Sequence, residues 1–478
     1  MRWTIGEVAH ALGVATPTGL DPLARLAGVS IDSRTLGPGE LFVAIHGPRH
    51  DGHSFVGTAL AAGAPAAVVA RTRLGEFPAE VRGKLLAVGE PQQALHNLAL
   101  AVRREWGGCL AGVTGSVGKT TTKEILAALL AARFRVLKSE GNLNNEYGLP
   151  LTLLRLDPQH EAVVVEMGMS HVGEIRRLAE IAEPDVGVVT SVAPVHLEFF
   201  ASVEEIAATK RELIEGLRGA QSVAVLNADD ERVAAFAGSA PGRVLRYGFA
   251  PEAEFRAEAL EDRGAEGSGF DFIAPTGRAR LKLPLVGRHN VSNALGALAA
   301  ASVWGVGAAE AAEVFPRLRP ASMRGEMLHF ADGFAVINDC YNSNPVALAA
   351  MVALLAKTPG YRRRILVAGE MLELGPTSAE LHREAGRKAA ALGALDWIIA
   401  VQGQASALLE GARAAGHPET RVKFFASSEE AGAFVQDLVA PGDLLLVKGS
   451  RGVRMERIVE ALKSRHALAE HAAARGRA

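Results

Sequence analysis

The stretch CLAGVTGSVGKTTTKEILAALLAAR, residues 109–133, decides the fold. CLAGV reads as a buried strand, TGSVGKT as a tight turn, and TTKEILAALLAAR as a helix with a polar first turn. Gly115 and Gly118 open backbone angles closed to other residues, so that N–H groups around Ser116 and Val117 can turn inward on phosphate oxygens. The helix N-terminus adds a partial positive charge. Lys119 is then placed to reach the β- and γ-phosphates of ATP, and the hydroxyl of Thr120, followed by Thr121, to ligate Mg²⁺. The strict phosphate-loop spacing asks for Gly where Val113 stands, so this is a variant of it; the bland alternative is an ordinary glycine-rich strand–helix turn.

Downstream, FRVLK, AVVVEMG, VGVVTSV and SVAVLN alternate with helical patterns, the signature of a parallel sheet. AVVVE ends on Glu166, and a carboxylate closing an apolar strand is costly unless something partners it. VGVVTSV runs out into Ala193-Pro194-Val195-His196 at the same sheet edge, where His196 reads either as a ligand or as a capping histidine. Lys210 follows Ser202-Val203-Glu204-Glu205, a helix-start signal, and by itself is a lysine on the solvated face of an amphipathic helix. An alanine-rich helical segment from His289 to about Leu318 closes this unit.

Before it, short β-rich runs (VSIDSR, ELFVAIHG, AAVVAR, LLAVG) are broken by turn-rich segments, which predicts a small α/β unit. After it, RLRPASMRGE reads as a connection, and FAVINDC, RILVAGEM, DWIIAVQG and DLLLVKG repeat the α/β alternation, with a fraying helix end as the tail. The fold class is therefore α/β in three domains: a small N-terminal α/β domain (1–88), a central P-loop-type parallel-sheet ATPase domain (89–318) and a C-terminal Rossmann-like domain (319–478). Three domains suit 478 residues.

Composition narrows the function. Lys plus Arg number 51 and Asp plus Glu 53, for a formal charge of −2, which argues against a protein that coats nucleic acid or an anionic membrane. Charged residues at 22 % and hydrophobic ones at 49 % exclude large-scale disorder. Cys109 and Cys340 are too few for a disulfide framework or a cysteine zinc site. The first residues lack a signal-peptide pattern and no run of 18 apolar residues occurs, so a cytoplasmic protein without membrane insertion is expected.

Seven segments in order resemble the Mur ligases of peptidoglycan synthesis: DSRTLGPGELFVAIHGPRHDGHSF, EGNLNNEYGLPLTLL, EMGMSHVGEI, GRHNVSNALGA, NDCYNSNP, GEMLELG and VKGSRGVRME. TGSVGKTTTK is similar to the family's ATP loop. The resemblance is to the dipeptide-adding branch and implies ATP and Mg²⁺ as cofactors, with Thr120 and Glu166 at one ion and Glu166, His196 and Lys210 at a second. It implies carbamylation of Lys210, which turns a cation into an anionic ligand. It places Asn290 and Asn293 at the nucleotide, Arg324 and Asp339 at its phosphates and ribose, and Tyr341 and Asn344 beside its adenine. Ser33 and Arg34, with His53 as a weaker candidate, are implied for the uridine nucleotide, and Asn142 and Asn145 for the substrate. Lys119, Glu166, His196 and Lys210 form the implied catalytic set.

The implied partners are UDP-N-acetylmuramoyl-tripeptide and D-alanyl-D-alanine, joined on a monomer through an acyl phosphate, with the third domain closing about a hinge near residues 319–325. The alternatives are another amino-acid-adding member, a folylpolyglutamate synthase-like ligase, or a non-catalytic nucleotide-binding module.

Overall fold

The computed structural model describes residues 3–47, 50–195, 197–263 and 267–469. Three sheets carry the chain. The first is all parallel in the order β1 (Gly28–Ser30), β2 (Glu40–Val43), β3 (Ala67–Ala70), β4 (Leu85–Val88). Its strands show the two-residue period plainly. Phe42 and Ala44 face the helix Val56–Ala61, whereas Leu41 and Val43 face the opposite way, toward the helix Pro91–Trp106.

That long helix starts and stops by ordinary rules. The Glu90 carboxylate accepts from the N–H groups of Gln92 and Gln93, Pro91 fills the first turn, and Gly107 ends the helix at φ +66°. One side of it packs on the first sheet and the rest of its apolar surface continues into the second. Ile5, Leu41, Leu98, Leu110, Val163 and Phe236 all belong to one uninterrupted core. Arg103 reinforces the join: its guanidinium donates to the carbonyls of Ala182 and Glu183 and to Asp185 Oδ2, which also accepts from the Leu110 N–H.

The second sheet contains β5 (Cys109–Thr114), β6 (Val136–Lys138), β7 (Ala162–Glu166), β8 (Val186–Val189), β9 (Val223–Asn227), β10 (Arg243–Gly248), β11 (Phe255–Asp262), β12 (Ser268–Ala274) and β13 (Gly277–Leu283). Their order is β13-β12-β11-β10-β9-β8-β5-β7-β6. The expected parallel sheet is correct for β5 to β11, but β11, β12 and β13 add an antiparallel edge. In these edge strands the large buried apolar residues alternate, Phe270 with Phe272 and Leu281 with Leu283, so they lack the continuous apolar runs that marked the others. The closing helical segment spans the expected residues but is interrupted, with one helix ending at Ala301 and the next running over Ala308–Val314.

The third sheet runs β14 (Glu326–His329), β15 (Ala335–Asp339), β19 (Asp443–Lys448), β16 (Arg363–Gly369), β17 (Trp397–Val401), β18 (Val422–Phe425), parallel except for β14. It has its own two cores, one on each face. Cys340 sits in one of them as a packing residue, and burial pushes its thiol far up, away from reactivity. The chain after Arg465 is not a fraying helix as far as it is described. Residues 466–469 return to the sheet edge, where Ala331 donates to Ala467 and Ala469 to His329. Residues 470–478 lie outside the described residues. Among the described residues no helix is long and apolar enough to cross a membrane.

Candidate active site

Winding direction reverses at β5, because β6 and β7 lie to one side of it and β8 onward to the other. Ligands in such sheets bind at the carboxyl ends of strands where this reversal occurs. Register then fixes the neighbours. Val113 pairs with Glu166 of β7, and Thr114 with Val189 of β8, so Glu166 and Thr190 flank the phosphate loop.

The loop is held from both sides. Ser116 donates its N–H to the Ser191 carbonyl at 2.8 Å, and Thr190 Oγ1 donates to the Val117 carbonyl at 2.5 Å. Gly115 has φ +147° and Gly118 +93°. A Cβ on Gly115 would lie 1.9 Å from Thr190 Oγ1, and one on Gly118 would lie 2.3 Å from Asn293 Oδ1. Gly115→Ala is therefore expected to cost about 1–3 kcal/mol of stability through backbone strain alone, before the clash. It should also lose ADP binding, and a wild-type melting temperature with wild-type affinity would contradict this geometry.

Lys119 folds back in this structure, donating from Nζ to the Gly115 carbonyl at 2.7 Å. Burial lowers its pKa, with Arg324 adding to the effect and Glu166 opposing it. Thr120 Oγ1 donates to Glu166 Oε2 at 2.7 Å, and Asn144 Nδ2 donates to Glu166 Oε1 at 2.8 Å. Two hard oxygens this close nearly match one edge of a Mg²⁺ octahedron, about 2.9 Å for metal–oxygen bonds of about 2.05 Å. Thr120 and Glu166 thus fit Mg²⁺ held partly by phosphate and water. No cluster of three or more His, Cys, Asp or Glu suited to a metal occurs among the described residues. His196 lies outside the described residues.

Lys210 overturns the reading of a solvated lysine. It is 2 % exposed, and burial pushes its pKa well below the usual lysine range, with the positive charge of Lys119 pushing the same way. It lines the same cleft of about 820 Å³ as the loop from Ser116 to Thr121.

The opposite wall comes from the third sheet. Asp339 ends β15 in register with Lys448 at the end of β19, and Lys448 Nζ donates to Asp339 Oδ2 at 2.6 Å and to the Asn342 carbonyl at 2.7 Å. The guanidinium carbon of Arg324 stands 3.9 Å from the centre of the Tyr341 ring. Asn344 also borders the cleft, but its Oδ1 is committed to capping the helix Pro345–Lys357. Asn290 and Asn293 stand behind the loop, where Asn293 Nδ2 donates to Asn290 Oδ1 and Asn290 Nδ2 to the Val286 carbonyl.

Asn142 and Asn145 line the cleft, although Asn145 Oδ1 is occupied by the N–H groups of Tyr147 and Gly148. Asn144, between them, makes the contact with Glu166 and was not singled out from sequence. Lys448 was also missed, although it shows the signal that marked Glu166: an ionisable residue closing an apolar strand.

The candidates for the uridine nucleotide lie beside the first sheet, Ser33 and Arg34 in the turn after β1 and His53 in the short helix Gly52–Phe55, and do not line this cleft. Arg34 is exposed and forms a double hydrogen bond with Asp32, whose carboxyl it holds down at about 2. Ser33 sits between them. His53 is buried with both ring nitrogens engaged: Nδ1 donates to Asp51 and Nε2 accepts from the Ala70 N–H. Asp51 is in turn bound by Arg73, so the ring also serves as an internal strut.

Comparison with known proteins agrees with this architecture. Three family models match in succession: "Mur ligase family, catalytic domain" over residues 25–103, "Mur ligase middle domain" over 113–301, and "Mur ligase, glutamate ligase domain" over 323–451. The chain is 35 % identical to the UDP-N-acetylmuramoyl-tripeptide--D-alanyl-D-alanine ligase of Bacillus subtilis (strain 168), over 91 % of this chain and 93 % of that protein. Among solved structures it is similar to MurF from Acinetobacter baumannii, at TM-score 0.87 and 30 % identity, covering 97 % of this chain and 99 % of that one. MurF ligase from Thermotoga maritima in complex with ADP matches at TM-score 0.78 and 29 % identity, over 91 % and 97 % of the two chains. Matched by these models along its length and by the Bacillus subtilis relative at 35 % identity, the chain belongs to the Mur ligase family.

Proposed function

We propose that the protein joins D-alanyl-D-alanine to the C-terminal carboxylate of UDP-N-acetylmuramoyl-tripeptide in peptidoglycan precursor synthesis, consuming ATP and releasing ADP and phosphate. The observation that carries this reading is one cleft bounded by Lys119, Thr120 and Glu166 on one wall and by Arg324, Asp339 and Lys448 on the other. A carboxylate is a poor electrophile, so its oxygen first takes the γ-phosphoryl group, giving an acyl phosphate. The free amine of the dipeptide then attacks the acyl carbon, and phosphate leaves.

Lys119 and the inward N–H groups of the loop hold the triphosphate and offset charge as the phosphoryl group moves. Thr120 and Glu166 would hold Mg²⁺, and Glu166, His196 and Lys210 a second ion. Bound there, Mg²⁺ would neutralise phosphate charge and so let an anionic acyl group approach. Arg324 and Asp339 meet the nucleotide from the third domain, with Tyr341 and Asn344 at the base and Asn290 and Asn293 behind the loop. Closure of that domain excludes water, which protects the acyl phosphate. Ser33 and Arg34 beside the first sheet serve the uridine end, and Asn142 and Asn145 the peptide. The functional units are residues 1–88, 89–318 and 319–478, working as a monomer in the cytoplasm.

Lys210 is well suited to carbamylation. Burial favours the neutral amine of this lysine, and the lone pair of that form can add to carbon dioxide with loss of one proton. Labelled bicarbonate is therefore expected to give a carbamate resonance that disappears in Lys210→Arg and fades on acidification. No resonance in the unaltered chain would rule the modification out.

The function itself is tested by mass spectrometry of the product formed from the tripeptide nucleotide, ATP and D-alanyl-D-alanine. A product heavier by the dipeptide less one water is expected. Phosphate release that ignores the dipeptide would reject the proposal.

A further inference from the structure

Lys123 is a lysine with no exposed surface, one helical turn beyond Thr120, and the chemistry described above does not use it. An ammonium buried this completely needs acceptors for its protons. It has two: the Ser139 carbonyl at 2.7 Å and Glu124 Oε1 at 2.9 Å.

The first of these contacts is informative. Where β6 runs parallel to β7, Ser139 donates its N–H to the Val164 carbonyl at 3.1 Å. The parallel pattern then has the Ser139 carbonyl accept from the Glu166 N–H. That carbonyl is turned to Lys123 instead, and Ser139 Oγ takes its place, accepting from the Glu166 N–H at 3.1 Å. The strand therefore leaves the sheet at Ser139. The chain that departs carries Asn144, whose side chain holds Glu166 Oε1 and whose carbonyl accepts from Gly168.

We propose that Lys123 is a positioning residue that seats the Glu166 carboxylate for metal binding by drawing the Ser139 carbonyl out of the sheet. One helix then sets Glu166 twice. Thr120 engages its Oε2 directly, and Lys123 fixes its backbone and its Asn144 partner from behind. The inference rests on the nucleotide-and-metal part of the proposed function and is independent of the acyl substrate.

The test measures ADP binding to the full chain by calorimetry, with and without Mg²⁺, for Lys123→Met, Ser139→Ala and the double variant. Losing a residue that orients a metal ligand costs about 10–100-fold in metal affinity. The Mg²⁺-dependent gain in ADP affinity is thus expected to shrink by about tenfold in each single variant, while metal-free ADP affinity stays near wild type. The double variant should be no worse than the poorer single, because both lie on one path. An intact gain in Ser139→Ala overturns the proposal. So does an equal fall in metal-free affinity, or losses that multiply in the double variant, or the absence of any Mg²⁺ gain in the unaltered chain. If Lys123→Met does not fold, Ser139→Ala decides alone. Failure to ligate the dipeptide would remove the proposed function and leave this measurement readable.

Discussion

Lys119→Ala is expected to lower ADP formation by about 10³-fold or more while leaving the protein folded. The size follows from what the residue does. In the proposed mechanism it is the loop's cation at the transferring phosphoryl group, where burial strengthens its charge interactions. The effect on stability follows from what it costs. Its ammonium donates to the carbonyl of Gly115, four residues back in its own loop, and burial already works against its charge. Removing it relieves that penalty, so the melting temperature should hold or rise. A coupled assay for ADP together with thermal denaturation checks both halves. Activity within tenfold of wild type would sink the assignment, and a collapsed melting temperature would show that the lysine is structural.

Glu166→Gln is the second large effect, again about 10³-fold in turnover, with a raised requirement for Mg²⁺. Both carboxylate oxygens receive protons, from Thr120 on one side and Asn144 on the other. A glutamine side chain offers one oxygen and one NH₂ group. With its oxygen toward Asn144 and its NH₂ toward Thr120, whose hydroxyl can turn to accept, both contacts survive, but the negative charge is gone. Initial rates across a Mg²⁺ titration read this directly. An unchanged titration midpoint would mean that Glu166 does not hold the ion.

The parts that were legible in the sequence share a physical cause. Strands buried on both faces must be continuously apolar, so AVVVE and VGVVT announce themselves, and a carboxylate at the end of one stands out. Lys119 and Thr120 were legible because a phosphate loop needs glycines at fixed spacing. Lys448 carried the same end-of-strand signal as Glu166 and could have been found by it.

Asn144 could not be separated from Asn142 and Asn145 by residue type. All three are polar residues in one loop, and only the return of that loop to β7 distinguishes them. The burial of Lys210 and Lys123 was illegible for another reason. Helical periodicity gives the face a lysine occupies but not whether a second element covers that face, and in both cases one does. The edge strands β11 to β13 escaped because an edge buries only half its residues.

The shared core around the helix Pro91–Trp106 has a consequence for how the molecule is made. The first sheet is complete by Val88, yet one of its faces is covered by a core that reaches Phe236. A ribosome adding about 5–20 residues per second needs on the order of ten seconds to supply that covering. The helix Pro91–Trp106 reaches Leu41 and Val43 almost at once, but the rest of its own apolar surface waits through that interval for Leu110, Val163 and Phe236. The nascent chain therefore passes through a sticky stage at its beginning. The third sheet, whose two cores are built almost wholly from its own residues, emerges last and can close on itself as soon as it is released.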